Sequence, residues 1–184
     1  MDITFRKLID PTAEIAESFT KWENDLNLIP FIRPNKNQEA LETREVLTVN
    51  ELQQRFAHHQ IYLIYLEDQL VGEMDYQVDP RHLFKKEPGT AWIGIIIGEE
   101  FARGKGIGYL ALRYLEEQIR LAGLKRIELG VFEFNLQAIS LYERLGYNEI
   151  ARIEKYSYWQ DKVWQDIRME KYFSTPDNQN KNET

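Results

Sequence analysis

The run Arg103-Gly104-Lys105-Gly106-Ile107-Gly108 stands between a continuous apolar segment, residues 91–98, and a segment whose apolar positions recur at helical spacing. Glycine lacks a Cβ, so it can turn the chain through left-handed backbone and lets a ligand approach the main chain closely. A helix start adds unpaired amides and the positive end of the helix dipole, and Arg103 and Lys105 add charge. Strand, glycine-rich turn and helix in this order predict a cradle for a phosphorylated small molecule.

The flanking pattern alternates strands with helices. Residues 3–8 form a short strand, and Asp10 is expected to cap a helix with Pro11 at its first position, ending near Asn24. Residues 26–46 contain Pro30, Pro34 and several asparagines without periodicity, which predicts a long surface loop with room for one helical turn. Thr48 and Glu51 form a capping box for a helix reaching about His58. Residues 61–66 and 69–78 flank the turn Glu67-Asp68 as a hairpin, and 79–89 is a loop.

After the glycine run, Ile107, Ala111, Tyr114, Leu115, Ile119 and Ala122 mark the core face of a helix that Gly123 ends. A strand over 125–132 follows, then a short helix from Asn135 to Gly146 with the apolar stripe Ala138, Leu141, Tyr142 and Leu145. Residues 147–172 predict a terminal hairpin about Gln160-Asp161-Lys162, and 174–184 a disordered polar tail. The expectation is one α/β domain over 1–173, with a mixed, mostly antiparallel sheet flanked by helices.

Composition narrows the function. A chain of 184 residues with 43% hydrophobic content can bury a single core. It has no cysteine, which removes disulfides, thiolate metal sites and a cysteine nucleophile together. The net charge of −7 argues against nucleic-acid binding. No run approaches the ~20 apolar residues of a membrane span, and residues 1–8 lack a basic-then-apolar secretory pattern. A cytoplasmic protein without a nucleic-acid or membrane partner is expected.

Metal chemistry has little support. His58 and His59 are adjacent and so on different helix faces, and His82 stands alone, which predicts solvated imidazoles. Ser140 has no partnered histidine nearby in sequence, and no Gly-Lys-Ser or Gly-Lys-Thr makes a nucleotide loop. Residues 106–111 also fit a dinucleotide fingerprint, with Glu128 about 20 residues on as a ribose-binding acid. Against this NAD(P) reading, five residues separate the strand from Gly104, and Glu128 falls in mid-strand.

The buried strand, the glycine run, the strand leading to Asn135, and the short helix bearing Tyr142 and ending at Gly146-Tyr147 together resemble the GNAT superfamily of N-acetyltransferases. The acetyl-CoA motif of that family is Arg/Gln-x-x-Gly-x-Gly/Ala, matched by Arg103, Gly106 and Gly108. The stretch 135–147 resembles its second signature, and the likeness extends over 60–172. Asp166-Ile167-Arg168-Met169 after a tryptophan-rich turn is similar to the branch with spermidine and ribosomal-protein N-terminal acetyltransferases.

The resemblance implies an acyl-CoA acyltransferase fold whose sheet splays between strands 91–98 and 125–132. Backbone groups of Ile95, Ile96 and Ile97 would hold the pantetheine arm and the oxyanion. Arg103 and the amides of Gly104, Lys105, Gly106, Ile107 and Gly108 would hold the pyrophosphate. Asn135 would contact the coenzyme, cap the short helix, or both. Tyr142 would protonate the coenzyme A thiolate, its alternative being a core tyrosine.

No acid occupies residues 91–98, where some relatives carry a glutamate base. Glu73, with Asp75 on the same strand face, and Glu99 are the candidate bases, with a water-mediated route as the alternative. The implied reaction is direct transfer of acetyl from acetyl-CoA, without a metal, to a cationic small-molecule amine or a protein N-terminus. An acetyl-CoA sensor without turnover is the non-enzymatic alternative. Trp159 and Trp164 serve either a dimer surface or the core.

Overall fold

The computed structural model describes residues 2–173, and the tail predicted at 174–184 lies outside the described residues. The chain runs β1 (Ile3–Lys7), α1 (Ala13–Glu23), α2 (Ile29–Ile32), α3 (Gln38–Glu42), α4 (Val49–Phe56), β2 (Gln60–Leu66), β3 (Gln69–Val78) and β4 (Thr90–Ile97). It continues through α5 (Ile107–Leu121), β5 (Arg126–Phe132), α6 (Leu136–Arg144), β6 (Asn148–Trp159) and β7 (Lys162–Tyr172). Among the described residues, one sheet of 7 strands has the order β1-β2-β3-β4-β5-β7-β6, and only the β4–β5 pair is parallel.

Local chemistry accounts for most of these elements. Glu67 and Asp68 have φ of 51° and 64°, and Gln160 and Asp161 have φ of 50° and 56°. Consecutive left-handed residues match the twist of the strands they join, so both hairpins close tightly. The capping box of α4 is complete, with Thr48 and Glu51 serving each other's backbone.

Two expectations near the N-terminus are corrected. The cap of α1 is Thr12, whose hydroxyl accepts from the Ile15 amide, so Asp10 and Pro11 lie ahead of the helix. Residues 26–46 carry two short helices, and Leu28, Ile29, Pro30, Asn35 and Leu41 are buried. With 4 and 5 residues, α2 and α3 are too short to display a 3.6-residue period.

The middle of the sheet is covered on both faces. Alternate residues of β2 point oppositely: Tyr62 and Ile64 join Met74, Ile127 and the α5 residues Leu112, Leu115 and Ile119. Ile61 and Leu63 pack with Phe19 and Trp22 of α1 and Leu52 of α4. A Cβ on Gly98 would fall 2.2 Å from the Trp22 ring, so glycine there lets α1 lie close over the end of β4.

β4 and β5 pair only at Thr90–Arg126, Ala91–Ile127 and Trp92–Glu128. Beyond Trp92, β4 remains bonded to β3 and β5 to β7, and their facing edges separate. Buried charges hold the closed end. Arg126 contacts Glu128 at 2.5 Å and Glu170 at 2.8 Å, and Glu128 accepts from the amides of Phe84 and Lys85 at 2.6 and 3.2 Å. Fully buried and so engaged, Glu128 is unavailable to a ribose, which removes the dinucleotide reading together with its parallel sheet.

Candidate active site

The glycine run opens α5 as its sequence requires. Gly104 and Gly106 have φ of 72° and 79°, conformations that a side chain would strain. Among the described residues, no backbone carbonyl accepts from the amides of residues 104–108. The run therefore presents free donors at a helix start.

Arg103 departs from expectation. Its Nε donates to the Ile97 carbonyl at 2.9 Å and its Nη2 to the Gly98 carbonyl at 2.6 Å, and Asp25 lies 3.7 Å away. Its planar fork closes the end of β4, with its hydrogen bonds aimed at carbonyls instead of at the glycine loop. Lys105 is exposed, whereas the Ile107 side chain belongs to the core, leaving only its amide to face a ligand.

A cavity of about 690 Å³ occupies the opening between β4 and β5. Ile95, Ile96 and Ile97, Gly108, Asn135, Tyr142, Glu73 and Asp75 all line it, though they come from four elements and one loop position. Residues 103–107 lead up to Gly108 without lining the cavity. Asn135 accepts from the Ala138 amide at 3.3 Å, so it caps α6 while facing the same space.

Tyr142 is buried edge-on to Tyr147, with ring centroids 5.7 Å apart. Burial pushes its phenol up to about 12, which keeps the proton on the oxygen at neutral pH. Glu73 is also buried, and its Oε2 has no hydrogen-bond partner. Burial, then the charges of Asp75 and Glu23, push its carboxyl well above the usual range, with Arg55 opposing. Arg55 is itself held in a fork by Glu23, at 2.5 and 2.9 Å.

Glu99, the other candidate base, lies outside the cavity. It accepts from Lys21 Nζ at 2.7 Å and Trp22 Nε1 at 2.9 Å. Burial pushes its carboxyl up, but these two donors hold it below its ordinary value.

Two further residues belong with this group. His59, expected to be solvated, is half-buried between Asp75, which meets Nδ1, and Gln77, which meets Nε2. The signal was the β2–β3 hairpin, since Gln60 pairs with Tyr76 and the preceding residue must therefore approach Gln77. A register shift at Ile64/Tyr65 moved the pairing by one residue. Asp166 lines the cavity from β7, where burial raises its carboxyl to about 6 against the pull of Arg168. Arg168 Nε lies 2.6 Å from Asp166 Oδ2 as an ion pair, without the alignment of a hydrogen bond.

Trp159 and Trp164 pack on Phe134 within the chain, and Phe31 of α2 adds an aromatic edge to the cavity wall. Among the described residues, no three His, Cys, Asp or Glu side chains are grouped to hold a metal, and no helix is long and apolar enough to cross a membrane.

The sequence profile of the Acetyltransferase (GNAT) family matches residues 19–147. The chain belongs to this family. The GNAT chain is 35% identical over 85 residues to the spermine/spermidine N(1)-acetyltransferase of Bacillus subtilis, a match covering 46% of this chain and 56% of that protein. It thus spans little more than half the length of that relative.

Solved structures share the GNAT fold along nearly the whole chain. A GNAT-family acetyltransferase from Streptococcus pneumoniae superposes with a TM-score of 0.73 at 19% identity, covering 94% of this chain and 100% of that one. The spermidine N-acetyltransferase of Vibrio cholerae, solved with CoA and spermine, gives 0.69 at 18% identity over 92% and 95%.

Proposed function

We propose that the protein is an N-acetyltransferase that moves an acetyl group from acetyl-CoA directly to a primary amine. The supporting observation is that one cavity joins the free edge of β4, the start of α5, the protonated phenol of Tyr142 and the buried carboxyl of Glu73. Acetyl-CoA supplies the activated acetyl as a thioester. The edge of β4 from Ile95 to Ile97 pairs with the amides of its pantetheine arm as a neighbouring strand would. The amides of residues 104–108 take its pyrophosphate.

Glu73 accepts a proton from the incoming ammonium, and its raised carboxyl suits it to that task. The amine nitrogen then forms a bond to the thioester carbon, and the backbone near Ile95–Ile97 stabilises the oxyanion. As the carbon–sulfur bond breaks, Tyr142 gives its proton to the departing sulfur, and the proton that the nitrogen sheds on becoming an amide restores the phenol. Glu73, Asp75, Glu23, Glu45 and Asp166 outnumber Arg33 and Arg55 around the cavity, which favours a cationic acceptor. The relative from Bacillus subtilis and the spermine bound in the Vibrio cholerae structure support a polyamine or similar amine.

A thermal-shift comparison of acetyl-CoA, CoA and NAD(P), followed by an amine panel read by thiol release, tests this function. Stabilisation by the two coenzyme A forms and thiol release with a polyamine are expected. Stabilisation by NAD(P) alone would overturn the proposal.

A further inference from the structure

A proton accepted by Glu73 must leave before the next turnover, yet Glu73 is buried and its Oε2 is unpartnered. Its neighbour two residues along the same strand face is Asp75, which lines the same cavity. Asp75 contacts Nδ1 of His59, and the other ring nitrogen meets Gln77. His59 and Gln77 line a second cavity, of about 680 Å³, with Gln54, Arg55, His58 and Tyr76. Asp75 does not line that second cavity, and His59 does not line the first. The Asp75–His59 contact therefore joins the two spaces.

We infer that His59 is the exit relay for the proton taken from the acceptor amine, passing it from Asp75 to water in the second cavity. This role rests on the acetyl-transfer function proposed above. The ammonium proton moves to Glu73 and then to Asp75. Asp75 delivers it to Nδ1 of His59 while the Nε2 proton departs to water, and a turn of the ring then brings a bare nitrogen back to Asp75, so one proton leaves for each amine acetylated. An imidazole can bind a proton at one nitrogen and release one from the other.

Gln77 suits both states of the ring. Its amide can turn to present oxygen to a protonated Nε2 or nitrogen to a bare one. The charged and titratable groups around the route come from several elements. Arg55 of α4 is held by Glu23 of α1, Glu73 and Tyr76 come from β3, Glu51 and His58 lie toward the second cavity, and His82 stacks edge-on against Trp92.

The test compares the wild-type chain with His59→Gln and His59→Ala in thiol release with a polyamine, across pH 6 to 9 and with free imidazole added. Glutamine keeps a hydrogen-bonding partner for Asp75 but cannot relay a proton. Both variants are expected to lose about tenfold or more in kcat with an unchanged thermal shift by acetyl-CoA. Free imidazole should restore part of the loss in His59→Ala and none in His59→Gln. Wild-type kcat and pH profile in His59→Gln, or a His59→Ala defect unmoved by imidazole, would overturn the relay while the transferase stands. Absence of wild-type turnover with every amine would overturn both.

Discussion

Arg103 and Ile97 are joined by a hydrogen bond of 2.9 Å from guanidinium Nε to the main-chain carbonyl, and the same side chain reaches the Gly98 carbonyl. A residue of the glycine run thereby fixes the end of β4. Lysine offers one ammonium where two parallel donors are needed. Arg103→Lys is expected to lower stability by about 1–2 kcal/mol and to weaken acetyl-CoA binding. The salt dependence of that binding should stay at the wild-type slope, because the lost contacts are to carbonyls. Urea unfolding and donor titrations at two ionic strengths check this, and a reduced salt slope would place Arg103 on the phosphates instead.

Tyr142→Phe removes one oxygen from a buried site and leaves the ring packing on Tyr147. A general acid contributes about 10²- to 10⁴-fold, so kcat should fall by at least about 10²-fold, with donor affinity changed by about twofold or less. Steady-state kinetics with an independent acetyl-CoA titration measure both. An unchanged kcat would remove Tyr142 from the chemistry.

The legible parts of this chain were local. The turn at Glu67-Asp68, the capping box at Thr48 and Glu51, and the left-handed glycines before α5 depend on residues within a few positions of each other. The splay of the sheet and the roles of Tyr142 and Asn135 came from family resemblance, since spacing alone leaves Tyr142 a core tyrosine. The contacts that escaped were long-range. Arg103 turning back onto β4, His59 meeting Asp75 through a shifted register, and Asp166 entering the cavity from the last strand all require the sheet to exist first.

Asp166 makes stability depend on pH with a definite sign. Its carboxyl is raised from 3.8 to about 6, so the folded chain holds a proton that the unfolded chain releases. The contribution of Asp166 to stability is therefore full below pH 3.8 and falls as pH rises toward 6. The difference corresponds to about 3 kcal/mol at most. Asp166→Asn should match the wild type near pH 4 and exceed it in stability by pH 7, read by urea unfolding along a pH series. A variant less stable at pH 7 than at pH 4, relative to wild type, would show that the ion pair with Arg168 outweighs burial.

Gly94 lies opposite Asp75 in the β3–β4 ladder, and a Cβ there would fall 2.6 Å from Asp75 Oδ1. Asp75 cannot yield freely, because His59 holds its other oxygen. Gly94→Ala should therefore displace the carboxylate from its place beside Glu73, while the edge of β4 facing β5 keeps its backbone. The expected result is a fall in kcat of about tenfold or more, with acetyl-CoA affinity nearly unchanged. Asp75→Asn should produce a similar loss, and the double variant should be no worse than the more severe single one, since both changes remove the same function. Additive losses in that cycle would mean that Gly94 acts on the strand itself, and donor affinity would then fall with kcat.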